Sequence, residues 1–172
     1  MNPATEETLG HFQDGTAQDV KKAIAAAEHA LPSWRATPAP QRGELLLAIA
    51  RELRHEKERL AKLVTMEMGK ILVEARGDVQ EAIDIAEYMA GEGRRLFGHT
   101  TTSELKDKFC MTIRRPVGVV GLITPWNFPI AVPAWKIMPA LICGNTLVFK
   151  PSSDTPLCAI ELIKIIAQHV PP

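Results

Sequence analysis

The chain has 172 residues, 46% of them hydrophobic, and twenty basic residues balance twenty acidic ones, leaving a formal net charge of zero. That is enough apolar material to bury one core, and a neutral chain has no overall field to draw in nucleic acid or an anionic membrane. The opening Met1-Asn2-Pro3-Ala4-Thr5-Glu6-Glu7 has neither a basic start nor an apolar run, so no secretory signal is expected and the cytoplasm is the default location.

Up to about Phe97 the pattern is charged and helical. Thr16, with Asp19 three residues on, is placed to cap a helix carrying Val20, Ile24, Ala27 and Leu31 at helical spacing, expected to stop near Pro32. Pro40 suits the first turn of a second helix through Leu46, Ile49, Ala50 and Leu53. His55 to Met68 either extends that helix or forms a third, and Gly69 is a plausible terminator. From Lys70, Ala75, Val79, Ala82, Ala86 and Met89 draw one stripe along a long helix. Glu74, Asp78 and Glu81 are expected on its solvated faces.

Near Gly98 the period changes. Phe109, Met111 and Ile113 alternate with Cys110, Thr112 and Arg114, as in a strand with one wet face, until Arg115-Pro116 breaks it. Gly118 to Ile123 is apolar on both faces, as a central parallel strand covered by helices on both sides requires. A helix from about Pro133 to Ile142 is bent by Pro139 and followed by Gly144, and Thr146 to Lys150 forms a second strand. Thr155 then caps a helix that has Pro156 in its first turn and reaches about Gln168. The fold class is therefore α/β: N-terminal helices (1–98), a strand segment (99–116), and the first β-α-β-α of a doubly wound parallel sheet (117–172). Such sheets usually carry five or six strands, so a chain with two is expected to be cut, or naturally truncated, inside a domain.

The stretch Ile130 to Phe149 is interrupted by Lys136, Asn145 and two prolines, which argues against a membrane span. Cys110, Cys143 and Cys158 are widely spaced among apolar neighbours and read as reduced core thiols, with no metal site. Only Cys158, in a helix's first turn, has a physical case for a lowered pKa.

Ligands of an open α/β sheet bind outside the carboxyl ends of its strands, here Thr124 to Pro129 and Lys150 to Thr155. Pro125 and Pro129 restrict the backbone around Trp126 and Asn127, which limits the entropy lost when a ligand arrives. Asn127 then has two readings: an amide donor aimed at a developing oxyanion, or a side chain that merely closes its own turn. Lys150 is either a solvated strand end or a contact for ribose or phosphate. No G-x-G-x-x-G follows the first strand.

The segments "TPWNFP" and "AWKIMPALICGNTLVFKPSSDTP", together with "NPATEE", "EMGK" and "RRPVGVVG", strongly resemble the aldehyde dehydrogenase superfamily over essentially the whole chain. The resemblance implies NAD(P)-dependent oxidation of an aldehyde to a carboxylate through a thiohemiacetal on a cysteine. It casts Asn127 as the oxyanion amide. Ile123, Thr124, Pro125, Trp126, Lys150, Ser152 and Ser153 become cofactor contacts, Phe128 and Trp135 walls of the aldehyde tunnel, and Lys136 a proton-relay lysine. Serine at 153, where many NAD-preferring members carry glutamate, removes a repulsion and tilts the balance towards NADP tolerance. "GEGRRLFG" and "KPSSDTP" are similar to semialdehyde-oxidising branches, while Trp135 replaces the arginine that succinate-semialdehyde enzymes often use. A longer semialdehyde or a broad aldehyde range is expected.

None of the three cysteines stands in the family's nucleophile context, so the isolated chain is expected to be inactive. Family members oligomerise, partly through a segment matching Thr101 to Arg115, so a homo-dimer or tetramer is implied for the full-length protein. The alternative is a non-catalytic truncated product that binds nucleotide or pairs with complete subunits.

Overall fold

The computed structural model describes residues 1–170; Pro171 and Pro172, the end of the segment assigned above to the sheet, lie outside it. Four helices come first: α1 (Ala17–Ala36), α2 (Ala39–His55), α3 (Lys57–Met68) and α4 (Leu72–Glu92). Short strands β1 (Thr100–Thr101) and β2 (Cys110–Met111) form an antiparallel pair, and β3 (Val119–Ile123), α5 (Ala131–Ile142), β4 (Thr146–Lys150) and α6 (Pro156–Ala167) follow. β3 and β4 are parallel, with Val119 opposite Thr146 and Ile123 opposite Lys150.

Helix α1 opens on a reciprocal cap: the Thr16 hydroxyl accepts from the Asp19 N–H at 3.3 Å, and the Asp19 carboxylate accepts from the Thr16 N–H at 3.0 Å. It does not stop at Pro32 but runs on to Ala36. A proline inside a helix costs about 3 kcal/mol. Pro32 and Glu28 are both exposed, so water can serve the Glu28 carbonyl that loses its helical donor. Two residues later Trp34 is buried, and its Nε1–H donates to the Leu141 carbonyl at 3.2 Å. Burying a large apolar side chain contributes about 1.5–3 kcal/mol and the hydrogen bond about 1, enough to carry the last turn past the proline. The predicted apolar face of α1 is buried only in part: Ala27 is covered, while Val20 and Ile24 face solvent.

His55 to Met68 is a separate helix, and Gly69 ends it in the left-handed conformation at φ 78°. The stripe on α4 buries Ala75, Val79, Ala82 and Ala86 as the spacing requires. Asp78 departs from expectation, since it is buried rather than solvated. Helices α2 and α4 approach closely at Gly43, where a Cβ would lie 2.6 Å from the Ala90 carbonyl oxygen. One core joins both halves of the chain, with Leu46, Ile49, Leu53, Leu60 and Val79 packed together with Ile137, Met138, Ile142 and Leu162.

Two strand expectations change. The alternating run at 109–114 is a strand only at Cys110–Met111, and its apolar residues Phe109, Met111 and Ile113 face solvent, since among the described residues β2 packs mainly on β1. β3 is not covered on both sides either: Leu122 is buried, but Ile123, the last residue of the strand, is 81% exposed. At α6, Thr155 is buried but its side chain makes no cap. Glu67 of α3 takes that part, its two carboxylate oxygens each accepting at 2.7 Å from the Leu157 and Cys158 N–H groups. A full negative charge stabilises a helix N-terminus better than a hydroxyl does.

Candidate active-site half

Because β3 and β4 are parallel and in register, the segments leaving Ile123 and Lys150 emerge side by side at one edge. The Thr124 N–H still donates to the Lys150 carbonyl at 3.3 Å, so the two segments part only after Thr124. Ile123, Pro125, Trp126, Asn127, Phe128, Lys150 and Ser153 are exposed there, Ser152 is half-buried, and Thr124 is buried. Trp135 and Lys136 lie on the exposed side of the first turns of α5.

The loop between β3 and α5 is tied down from behind. Lys70, just past the Gly69 cap, donates from Nζ to the Asn127 carbonyl at 2.8 Å and sits over the Phe128 ring, 3.7 Å from its centroid. The same ammonium pairs with Asp78 at 3.4 Å, and the other Asp78 oxygen accepts from the Ala131 N–H at 2.7 Å. Both side chains are buried. One ion pair thus holds the loop's backbone at Asn127, an aromatic face at Phe128 and the start of α5. Its cost appears in Asp78, whose carboxyl lies above its ordinary value because burial outweighs the Ala131 N–H and Lys70.

With its backbone anchored, the Asn127 carboxamide is exposed and enters no hydrogen bond among the described residues. The turn-closing role considered for it therefore has no counterpart in the geometry. Ser152 is turned inward on its own loop, its hydroxyl accepting from the Asp154 N–H at 3.2 Å, whereas Ser153 is exposed. The Thr124 hydroxyl is buried without a partner. The Lys150 ammonium and the exposed Ser153 hydroxyl are donors of the kind that ribose and phosphate oxygens accept from, whereas the Thr124 hydroxyl is closed off from solvent.

The cysteines fit no nucleophile role. Cys158 is fully buried, and its thiol is pushed far up, first by burial and then by the Glu67 carboxylate. Its first-turn position, which favours a thiolate in the sequence, is overridden by that burial and by Glu67, which already occupies the helix N-terminus. Cys110 and Cys143 are half-buried. Among the described residues no group of His, Cys, Asp and Glu is placed to hold a metal, and no helix is long and apolar enough to cross a membrane.

The aldehyde dehydrogenase family model matches residues 1–172. The chain belongs to this family. It is 44% identical over 167 residues to the alpha-ketoglutaric semialdehyde dehydrogenase of Bacillus subtilis (strain 168), covering 96% of this chain and 34% of that protein. Among solved structures, an E. coli NADP-dependent enzyme superposes with a TM-score of 0.96 at 39% identity, over 99% of this chain and 36% of the other. A Staphylococcus aureus betaine aldehyde dehydrogenase double mutant in complex with NAD+ gives 0.94 at 36% identity, over 98% and 34%. The chain therefore spans about a third of the length of the relatives it matches, and its helices and two-stranded parallel sheet correspond to the N-terminal part of the family's Rossmann-like fold.

Sequence reasoning missed Lys70, Asp78 and Glu67. A signal for Asp78 was present, because it lies three residues after Ala75 and beside Val79, on the stripe that had to be buried. Lys70 and Glu67 flank the left-handed Gly69 cap within "EMGK", and nothing local shows that each reaches an element dozens of residues away.

Proposed function

We infer that this chain supplies one half of the active site of an NAD(P)-dependent aldehyde dehydrogenase. Asn127 donates its amide N–H to the oxyanion of a cysteine-bound thiohemiacetal. The observation that carries this reading is the Asn127 carboxamide itself, free and exposed at the carboxyl edge of the sheet while Lys70 fixes its backbone. Amide donors preorganised in this way stabilise charge as it develops, with no reorganisation at the moment of reaction.

Thr124 and Lys150, with Ile123, Pro125, Trp126, Ser152 and Ser153, hold the dinucleotide, whose nicotinamide accepts the hydride when bound. The positive Lys150 and the neutral Ser153 leave a 2′-phosphate unopposed, so NADP is accepted alongside NAD. Phe128 and Trp135 line the aldehyde's path, and Lys136, exposed beside Trp135, takes part in proton relay. The substrate class is a semialdehyde longer than succinate semialdehyde, or a broad set of aldehydes, in keeping with an uncharged Trp135. Subunits associate through the β1–β2 arm, whose Phe109, Met111 and Ile113 are exposed.

In the enzyme carrying this segment, Asn127→Ala is expected to lower kcat by about 10²–10³, as removal of one oxyanion donor does, with dinucleotide affinity unchanged. An unaltered kcat overturns the assignment. For the cofactor half, the chain itself should gain thermal stability with NADP and with NAD; no shift with either removes the claim of a preformed site.

A further inference from the structure

The opposite end of the parallel pair, where β3 and β4 begin, carries a concave site. A cavity of about 570 Å³ is lined there by Arg35, Arg42, Arg114 and Arg115, together with Cys143 and Asn145, and no aspartate or glutamate lines it. Its floor is fixed: the Asn145 side-chain oxygen Oδ1 accepts from the Gly118 N–H at 3.0 Å, joining the start of β3 to the residue just before β4.

Arg42 is only 6% exposed, yet its guanidinium meets neutral groups. Its Nε donates to the Ile142 carbonyl at 3.1 Å, and one terminal nitrogen donates to the Thr37 carbonyl. Among the described residues none of the four arginines enters an ion pair. A buried charge is ordinarily matched by an opposite one, and a guanidinium does not escape by deprotonating. Desolvation by burial lowers the Arg42 pKa, which marks the same missing counter-charge. Arg114 is steadied by its Nε bond to the Phe97 carbonyl at 3.0 Å. Pro38 and Ala39, where the 17-residue α2 begins, line the cavity as well. This helix start has no side-chain cap and no acidic residue in its first turn, so its partial positive charge adds to the arginines.

We propose that this cavity binds a phosphate-type oxyanion, free or carried by a small phosphorylated molecule, with Arg42 as its buried counter-charge and Arg35, Arg114 and Arg115 as further donors. Planar guanidinium forks match the oxygens of such an anion. The site is separate from the dinucleotide crevice, because the two lie at opposite ends of the same parallel strands.

The test is calorimetric titration of the chain with sodium phosphate, and separately with glycerol 3-phosphate, ionic strength being held constant with sodium chloride. Saturable one-site binding is expected. It should weaken about tenfold or more in Arg35→Ala and again in Arg115→Ala, as expected for the loss of a charge-assisted hydrogen bond. Both residues are exposed, so the fold should survive, and the thermal shift with NADP should be unchanged in both variants. Tighter binding of glycerol 3-phosphate than of phosphate assigns the site to a phosphorylated molecule, and equal or weaker binding to the free ion. Absence of saturable heat with either probe, or equal affinity in wild type and both variants, overturns the proposal.

Discussion

Replacing Asp78 with asparagine tests the claim that the active-site loop is held from behind. Removing one member of a buried ion pair costs about 3–5 kcal/mol, because the other charge stays buried alone. The cost here falls below that range, because burial already penalises the charged Asp78 carboxyl more than Lys70 and the Ala131 N–H stabilise it. The Lys70–Asp78 separation of 3.4 Å is long, and an asparagine oxygen in the same place still accepts from the Ala131 N–H. For a domain of this size each kcal/mol moves Tm by about 2–4 °C, so a loss of about 1–2 kcal/mol lowers it by roughly 2–8 °C. Differential scanning calorimetry gives the number, with Asp84→Asn on the exposed face of the same helix as control. That control should move by less than about 2 °C, as surface substitutions do. A drop for Asp78→Asn no larger than the control's refutes the tether.

The pH dependence of that difference supplies a second check. Because the folded Asp78 pKa lies above its ordinary 3.8, the folded chain holds more protons than the unfolded one between the two values. This carboxyl's contribution to stability is therefore complete below 3.8 and is lost as pH rises through the folded value. The advantage of wild type over Asp78→Asn should widen on acidification from neutrality. A narrowing gap would mean that pairing with Lys70 outweighs burial.

Three further outcomes follow from the same geometry. Glu67→Gln leaves one acceptor where two N–H groups converge at the start of α6; a loss of about 2 kcal/mol is expected from the charged cap, read as a Tm lower by roughly 4–8 °C. Thiol labelling of the native chain followed by peptide mass spectrometry should modify Cys110 and Cys143 well before Cys158; early labelling of Cys158 contradicts its burial. In the protein that contains this segment, Phe109→Ser with Met111→Ser should shift sedimentation towards smaller assemblies, and an unchanged distribution removes the β1–β2 arm from the interface.

The elements that were legible in the sequence are those whose partners are near neighbours. Thr16 and Asp19 cap each other within one turn, Gly69 ends its helix in place, and the five residues of β4 stand where the apolar run put them. The misreadings share a different cause. Pro32 has the local mark of a helix end, while the turn beyond it is held by Trp34 reaching α5. Thr155 was judged by its hydroxyl, while the cap is a carboxylate on α3. Asp78 was assigned to solvent by its charge, although its place on the stripe was the stronger signal. At the site itself the sequence located the loop, and the resemblance nominated its residues. The means by which the loop is held depends on Lys70, 57 residues away from Asn127 along the chain. Local pattern carries no information about such a reach.

The bond from Trp34 to Leu141 also has a consequence for synthesis. Its two ends are 107 residues apart, and the Thr146 hydroxyl that donates to the Ala27 carbonyl comes 119 residues after it. At about 5–20 residues per second, α1 leaves the ribosome roughly 5–20 s before its partners exist. Most of a helix's stability in a protein comes from packing its apolar face against a partner. During that interval Ala27 and Trp34 have no partner surface, and the nascent chain presents the ribosome's chaperones with an amphipathic segment whose docking site has not yet been translated.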